Sequence, residues 1–313
     1  MKKILVLGST NMDFVVEVDR MPQVGETLMS LRFDRIPGGK GANQACACAR
    51  LGGNVTFLSA VGQDDLGDQA LAQLIDSGAN CTEVARTSSL STGMAIIYVD
   101  RIGNNSIVVV PGANGACDRT YLWQKQPLLN GADILLAQLE IPADGVYEAL
   151  RQAHAIGKTT ILNPAPAPES MPNDVLCTLD YITPNETELD KLTGCGAETI
   201  EQIRSGAQTL LNRGVGNVIV TLGSRGAYFK NQGMERLFPA PKVQAVDTTA
   251  AGDTFNGALA VKIAEGADIC QAIPFANCAA ALSVSRKGAQ VSVPYRPEAE
   301  AFLKRISETG GTL

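Results

Sequence analysis

Twelve consecutive residues, Val246-Asp247-Thr248-Thr249-Ala250-Ala251-Gly252-Asp253-Thr254-Phe255-Asn256-Gly257, carry the densest chemistry in the sequence. Small side chains lead into an alanine-rich stretch of helical character. At a helix N-terminus such residues let main-chain N–H groups approach an anion closely. Asp253 stands at that end, where hydrogen bonds from the same helix terminus favour its ionised form. An isolated Gly-Asp pair reads as an ordinary N-cap. Within the whole run, Asp253 reads instead as a base that takes a proton from a nucleophile attacking a bound anion. The single histidine, His154, falls in an expected surface helix. Acid–base work is therefore left to carboxylates, Lys, Tyr or Cys.

A second segment, Ile36-Pro37-Gly38-Gly39-Lys40-Gly41-Ala42-Asn43-Gln44-Ala45, sets a lysine between glycines, with Asn43 expected to open a helix. Glycine here permits a tight turn and presents the charge. The segment is not a Walker A loop, because Gly41 rather than Ser or Thr follows Lys40, and it lacks G-x-G-x-x-G. Thr183-Pro184-Asn185-Glu186-Thr187-Glu188 joins a strand to a helix. Asn185 suits an N-cap there and the acids suit a first turn. The same Asn185 and Glu188 at a strand's carboxyl end could organise phosphate and hydrated Mg2+. Val220-Thr221-Leu222-Gly223-Ser224-Arg225-Gly226-Ala227 reads as strand, glycine turn and strand, either a nucleotide wrap or a plain hairpin. Asn11 and Asp13 flank Met12 and alternate toward one side, and Glu140 follows another strand. Carboxylates and an amide at strand ends suit a polyhydroxyl ligand, although each alone is equally a turn residue.

Such residues need a scaffold that gathers strand ends. Buried strands are expected at Ile4 to Leu7, Val55 to Val61, Ile134 to Gln138, Thr159 to Leu162, Tyr181 to Thr183 and Val218 to Leu222. Between them lie amphipathic helical patterns at Asn43 to Leu51, Asp65 to Asp76, Ala143 to Ile156 and Ile200 to Arg213. This alternation predicts an α/β fold with a mostly parallel sheet flanked by helices, binding ligands beyond the carboxyl ends of its strands. Phe14 to Val18, Thr27 to Ile36, Met94 to Val99 and Ser106 to Val110 alternate apolar and polar residues instead, the last pair about the turn at Arg101 to Asn105. They predict a small antiparallel β lid, formed by about residues 14–36 and 92–111 within a single domain spanning 1–313, and a candidate dimer surface. Thr309 to Leu313 are expected to fray.

Composition narrows the function classes. The chain is 45% hydrophobic with net charge −6 and a sequence pI near 5.0, so it offers no general attraction to nucleic acid or anionic membrane. Met1-Lys2-Lys3 with Ile4 to Leu7 imitates a signal peptide, but the apolar run is too short and Gly8 ends it. Eight cysteines match no zinc or redox spacing. They read as small buried hydrophobes of a reducing cytosol, which makes the expected location cytoplasmic.

Taken together, G-S-T-N-M-D, G-G-K-G-A-N-Q-A, Q-L-E, N-P-A-P-A, I-T-P-N-E-T-E, T-L-G-S-R-G, V-D-T-T-A-A-G-D-T-F-N-G-A-L and S-R-K-G-A-Q-V-S-V-P resemble, in order and over essentially the whole chain, the ribokinase-like (PfkB-type) carbohydrate kinases. That resemblance implies transfer of the ATP γ-phosphate to a sugar hydroxyl, with Mg2+, by a homodimer paired through the lid. It implies that Asn11, Asp13, Gly39, Lys40, Asn43 and Glu140 hold the sugar. Ala250, Ala251, Gly252 and Asp253 would form the anion hole, with Asp253 as base. Asn185, Glu188, Thr221, Gly223, Ser224, Arg225, Gly226 and Asn277 would attend the nucleotide and its metal. Asp247, Thr249, Ser283, Arg286, Gly288 and Ser292 would surround K+, several through carbonyl oxygens. D-ribose is the expected sugar, because Asn11 beside Asp13 would be left unpaired by a deoxy sugar. Rival readings are a family member acting on deoxyribose, a nucleoside or a sugar phosphate, a non-catalytic sugar-binding regulator, and a dinucleotide oxidoreductase. The missing glycine fingerprint opposes the last of these. Phe14, at the start of the lid, is the departure expected to bear on the sugar pocket.

Overall fold

In the computed structural model of the chain, which describes residues 1–308, two sheets share the strands that matter for function. The first half contributes β1 (Lys3–Leu7), β2 (Asn11–Glu17), β3 (Arg32–Gly38), β4 (Asn54–Leu58), β5 (Ala60–Gly62), β6 (Ala85–Thr87), β7 (Gly93–Val99) and β8 (Asn105–Val110). The second half adds β9 (Ile134–Ala137), β10 (Thr159–Leu162), β11 (Tyr181–Ile182), β12 (Asn217–Thr221), β13 (Ala227–Lys230) and β14 (Glu235–Phe238). The main sheet runs β14-β13-β12-β11-β10-β9-β1-β4 and is parallel except at its β13–β14 edge. Its strands are short apolar runs because helices cover both faces. Ile4 and Val6 of β1 enter one core with Ile134 and Leu136, whereas Leu5 and Leu7 enter the other with Leu135.

The second sheet runs β3-β2-β7-β8. Its outer pairs are antiparallel as expected, but its central β2–β7 pair is parallel. β2 follows β1 of the main sheet and β7 follows β6 of the small β5–β6 sheet, and the two run side by side from the paired residues Asn11 and Gly93. Thr27 to Leu31 precede the strand rather than join it, and Val55 to Val61 divides into β4 and β5, the latter paired with β6 in a small sheet of its own.

Helix starts also depart from expectation in ways that shape the site. The Lys40–Arg50 helix begins before Asn43, with Gly39 as N-cap at φ 88°. Glu140 Oε2 accepts the Lys40 N–H at 2.9 Å, supplying the cap that no neighbouring side chain provides. The Ala251–Ala264 helix has Ala250, not Asp253, as N-cap. These two helices cross at Gly257, where a Cβ would come within 2.5 Å of the Ala47 Cβ. All eight cysteines are free thiols; Cys46, Cys48, Cys81, Cys117 and Cys278 are buried, whereas Cys177 and Cys270 are exposed. Cys270 is exposed, contrary to expectation, because it lies in the first turn of the Ile269–Val284 helix, before that helix enters the core. Residues 309–313, expected to fray, lie outside the described residues.

Candidate active site

Asp253 is the third residue of its helix and is buried. Ahead of it, Ala250 has φ 59°, the only positive φ at a non-glycine among the described residues. That left-handed turn costs an L-residue about 1–2 kcal/mol. It opens the helix so that the first intrahelical bond runs from the Thr254 N–H to the Ala250 carbonyl at 2.8 Å. The Ala251 N–H turns back to the Thr248 carbonyl at 3.3 Å. Gly252 and Asp253 are thus the residues whose N–H groups have no main-chain acceptor at this end among the described residues.

The Asp253 carboxylate does not accept from its own helix, as the sequence led us to expect. It accepts from side-chain amides of the Lys40–Arg50 helix, Asn43 Nδ2 at 2.9 Å and Gln44 Nε2 at 3.0 Å. Burial pushes the Asp253 carboxyl upward, opposed by the Lys40 charge and by these two amides. Burial also works against the Lys40 charge, but Asp253, Glu140, Glu188 and Asp13 outweigh it and raise the lysine pKa. Four carboxylates therefore converge electrostatically on one ammonium.

Two of these acids come from loops and strand ends near β1. Glu140 Oε2 accepts from Ser9 Oγ at 2.6 Å as well as from the Lys40 N–H, so it anchors the helix as well as facing the site. Asp13 lies against Gly38, where a Cβ would approach its carboxylate to 2.2 Å. Gly39 serves the same close packing, since a Cβ there would meet the Asn11 nitrogen at 2.8 Å. Asp13 is raised to about 7 by burial and by the charges of Glu140 and Asp253, with Lys40 opposing.

The amides are oriented by main-chain groups. Asn114 Oδ1 accepts the Thr10 N–H at 2.8 Å, so its Nδ2 donates to Asn11 Oδ1 at 2.7 Å. Asn11 is left with its Nδ2 to donate outward, beside the Asp13 acceptor. Asn43 Oδ1 is buried without a partner among the described residues. A donor beside a carboxylate matches the alternating needs of neighbouring hydroxyls. Phe14 lies on the lid face opposite Asp13, stacked on Phe33 with Arg35 over both rings, so its expected influence on the pocket is not direct.

Beyond the helix terminus lies a cavity of about 780 Å³. Of the expected nucleotide residues, Asn185, Thr221, Gly223, Ser224, Gly226 and Asn277 line it, together with Ala251 and Gly252. A bridge between Asn185 and Thr221 extends the β11–β12 pairing and sets these two side by side. Arg225 and Glu188 are not in the lining. Arg225 pairs with Glu186 at 2.5 Å. Glu188 closes a capping box with Asn185 and lies within electrostatic reach of Lys40 and Asp253. Burial raises its pKa, against the pull of the Asn185 N–H and Lys40. Apolar walls at Pro241, Val243, Phe255, Ala280, Ala281 and Val284 escaped sequence reasoning, since apolar residues leave no local signal of a ligand.

Asp247 ties the loop before the Ala251–Ala264 helix to the distant tail. Its Oδ1 accepts from the Thr249 N–H and its Oδ2 from the Gly288 N–H, both at 2.9 Å. Ser283 and Ser292 hydroxyls donate to the carbonyls of Ala280 and Ala289, and Arg286 pairs with Glu298. The oxygens left here are main-chain carbonyls, hydroxyl lone pairs and the Asp247 carboxylate, a donor set that fits an alkali cation.

Sequence reasoning also missed Gln44, Gln138 and Asn163 as site residues. Each stands in a quoted motif, and Gln138 and Asn163 directly follow β9 and β10. Their position just past strand ends is the signal that could have found them.

Comparison with known proteins adds a lineage to this geometry. A family model described as pfkB family carbohydrate kinase matches residues 1–296. The chain is 40% identical to a ribokinase of Haemophilus influenzae over 303 residues, covering 97% of this chain and 99% of that one. It is 38% identical to a deoxyribokinase of Salmonella typhi over 300 residues, covering 96% and 98%. The solved structure of Arabidopsis thaliana ribokinase complexed with ribose and ATP superposes with a TM-score of 0.92 at 36% identity, covering 97% of this chain and 99% of that one.

Proposed function

We propose that this chain, which belongs to the pfkB family of carbohydrate kinases, transfers the γ-phosphoryl group of ATP to the 5-hydroxyl of D-ribose, giving ribose 5-phosphate and ADP. The observation that carries the reading is the buried Asp253 carboxylate, held by Asn43 and Gln44 beside a helix terminus that lines the 780 Å³ cavity. Asp253 accepts the hydroxyl proton as the sugar oxygen bonds to the γ-phosphorus and the bond from that phosphorus to the departing ADP oxygen breaks. The Gly252 and Asp253 N–H groups and the Lys40 ammonium face the charge on the transferring group. Positioning and electrostatics supply most of the rate. Closure of the lid sheet over the sugar excludes water and limits idle hydrolysis.

Asn11, Asp13, Asn43 and Glu140 are the sugar's partners in this reading. Arg32 pairs with Asp34, and Arg35 lies over Phe14 and Phe33, so neither adds charge beside Lys40 for a substrate phosphate. Glu188 would orient hydrated Mg2+, which supplies neutralisation of phosphate charge when bound. The Asp247 loop and the carbonyls of the 283–292 tail would hold K+, whose charge would steady the loop that builds the anion hole. Replacing K+ by a bulky organic cation at constant ionic strength lowers the rate; an unchanged rate removes this site. Free thiols throughout fit a reducing cytoplasm, and no helix among the described residues is long and apolar enough to cross a membrane. Exposed Phe33, Ile96, Ile107, Val108 and Val109 on the lid favour a homodimer formed through that sheet.

Because relatives of similar identity include a deoxyribokinase, the sugar is the point to test. For ribose, kcat/KM is expected to exceed that for 2-deoxyribose by at least about tenfold, the value of one hydrogen bond to a charged group. A preference for deoxyribose overturns the sugar assignment alone. Asp253→Asn is expected to lower kcat by roughly 10²–10⁴-fold with ATP binding and melting temperature little changed. A loss below about threefold, outside that range, places the base elsewhere.

A further inference from the structure

Asp253 is gripped through a line of buried amides whose direction is set at its far end. The Thr183 main-chain carbonyl accepts from Asn163 Nδ2 at 3.1 Å. A carbonyl oxygen only accepts, so the Asn163 oxygen must point the other way, where it receives Gln44 Nε2 at 3.0 Å. The second hydrogen on that nitrogen goes to Asp253 Oδ1, also at 3.0 Å. Gln44 Oε1 in turn accepts from Gln138 Nε2 at 2.6 Å. Gln44 and Gln138 are 0% exposed, so solvent cannot replace either bond. Gln138 Oε1 ends the line, buried without a partner among the described residues and pressed against Gly8, where a Cβ would come within 2.0 Å of it. Leaving a buried oxygen unpaired has a cost, and here it leaves the Gln138 nitrogen aimed at Gln44.

We propose that Gln44 is a positioning residue for the base: the one-way amide line Gln138–Gln44–Asn163–Thr183 locks its N–H toward Asp253, so that with Asn43 both carboxylate oxygens are held as acceptors and one remaining lone pair is aimed at the sugar hydroxyl. A flipped Gln44 would set an oxygen against the carboxylate, and the Thr183 carbonyl forbids that flip. The inference rests on Asp253 being the base. Other charged groups facing Asp253 are Lys40 from the adjoining helix, Glu140 from the loop after β9, Asp13 from β2 and Glu188 from the Glu186–Thr193 helix. They act on wild type and variants alike.

The test is the single-turnover rate of sugar phosphorylation against pH, for wild type, Gln44→Met, Gln138→Met and Asp253→Asn. Loss of one amide donor makes Asp253 easier to protonate, so Gln44→Met shifts the acid limb upward by about one pH unit, the scale of a charged hydrogen bond. Its rate falls about tenfold on the acid side and returns toward wild type at high pH. Gln138→Met removes the donor to Gln44 Oε1 while Asn163 and the Thr183 carbonyl still forbid the flip, so Gln44 is held less firmly and the limb shifts the same way by less. It also keeps the test open if Gln44→Met does not fold. A loss equal at every pH, or an unshifted limb in the folded variants while Asp253→Asn is inactive, overturns the positioning role and leaves the base in place. An active Asp253→Asn overturns the base itself.

Discussion

At the scale of single residues, the site is a balance of like charges around Lys40. Asp13 carries the clearest consequence, since burial and the neighbouring acids raise it from 3.8 to about 7. Its ionised form accepts from sugar hydroxyls, whereas its protonated form must donate. Sugar affinity therefore rises with pH through about 7, and KM for the sugar measured from acid to mildly basic pH should fall in wild type but not in Asp13→Asn. Stability runs the opposite way. The folded chain holds this proton more tightly than the unfolded chain, so the contribution is full below 3.8 and is lost as pH rises through about 7. Melting temperature without ligand, taken as wild type minus Asp13→Asn, should decline over that interval. A difference independent of pH would show that Asp13 titrates normally in the folded chain.

At the scale of elements, the Lys40–Arg50 and Ala251–Ala264 helices decide whether the amides reach the base. Gly257 sets their separation, because a Cβ there would lie 2.5 Å from Ala47 Cβ and 3.0 Å from the Gln44 carbonyl and the Cys48 nitrogen. Main-chain atoms of a buried helix cannot step aside as a side-chain tip can. Gly257→Ala is therefore expected to cost about 1–3 kcal/mol of stability, typical of overpacking, and to lower kcat as Asn43 and Gln44 shift from Asp253. Chemical denaturation and steady-state rates measure both. Wild-type values in each would mean that the helix pair yields without moving the site. The small residues of both motifs are legible in the sequence as a sign of close approach, and by themselves they point to a ligand as the partner. At Gly257 it is another helix.

At the scale of the molecule, the lid sheet is a surface with little behind it. Its edge strand β8 is exposed along nearly its whole length, on both faces, with apolar Ile107, Val108 and Val109 in succession. Such an edge invites pairing unless a partner covers it. Sedimentation equilibrium is expected to give twice the 32.9 kDa chain mass. Ile107 and Val108 point to opposite faces of the strand, so Ile107→Glu and Val108→Glu test the two faces separately, and one of them should return the chain to monomer. A monomeric wild type, or a dimer that survives both substitutions, removes the lid interface.

The sequence alone determined the alternation of buried strands and amphipathic helices, and with it the parallel sheet, because burial on both faces demands apolar runs at those lengths. Motifs at strand ends made Asp253, Lys40, Asn43 and Asn185 legible as candidates, since glycine, alanine and capping residues have local conformational reasons to stand where they do. Tertiary structure alone decided the rest. Gln44 meets Asp253 across a separation of 209 residues, and Gln138 meets Gln44 across 94, so no local pattern records either bond. The parallel β2–β7 pair joins strands from separate stretches of the chain, and the raised Asp13 follows from burial among acids drawn from separate segments. Hydrogen bonds and charges act over a few ångströms in space, and the chain brings those distances about only when it folds.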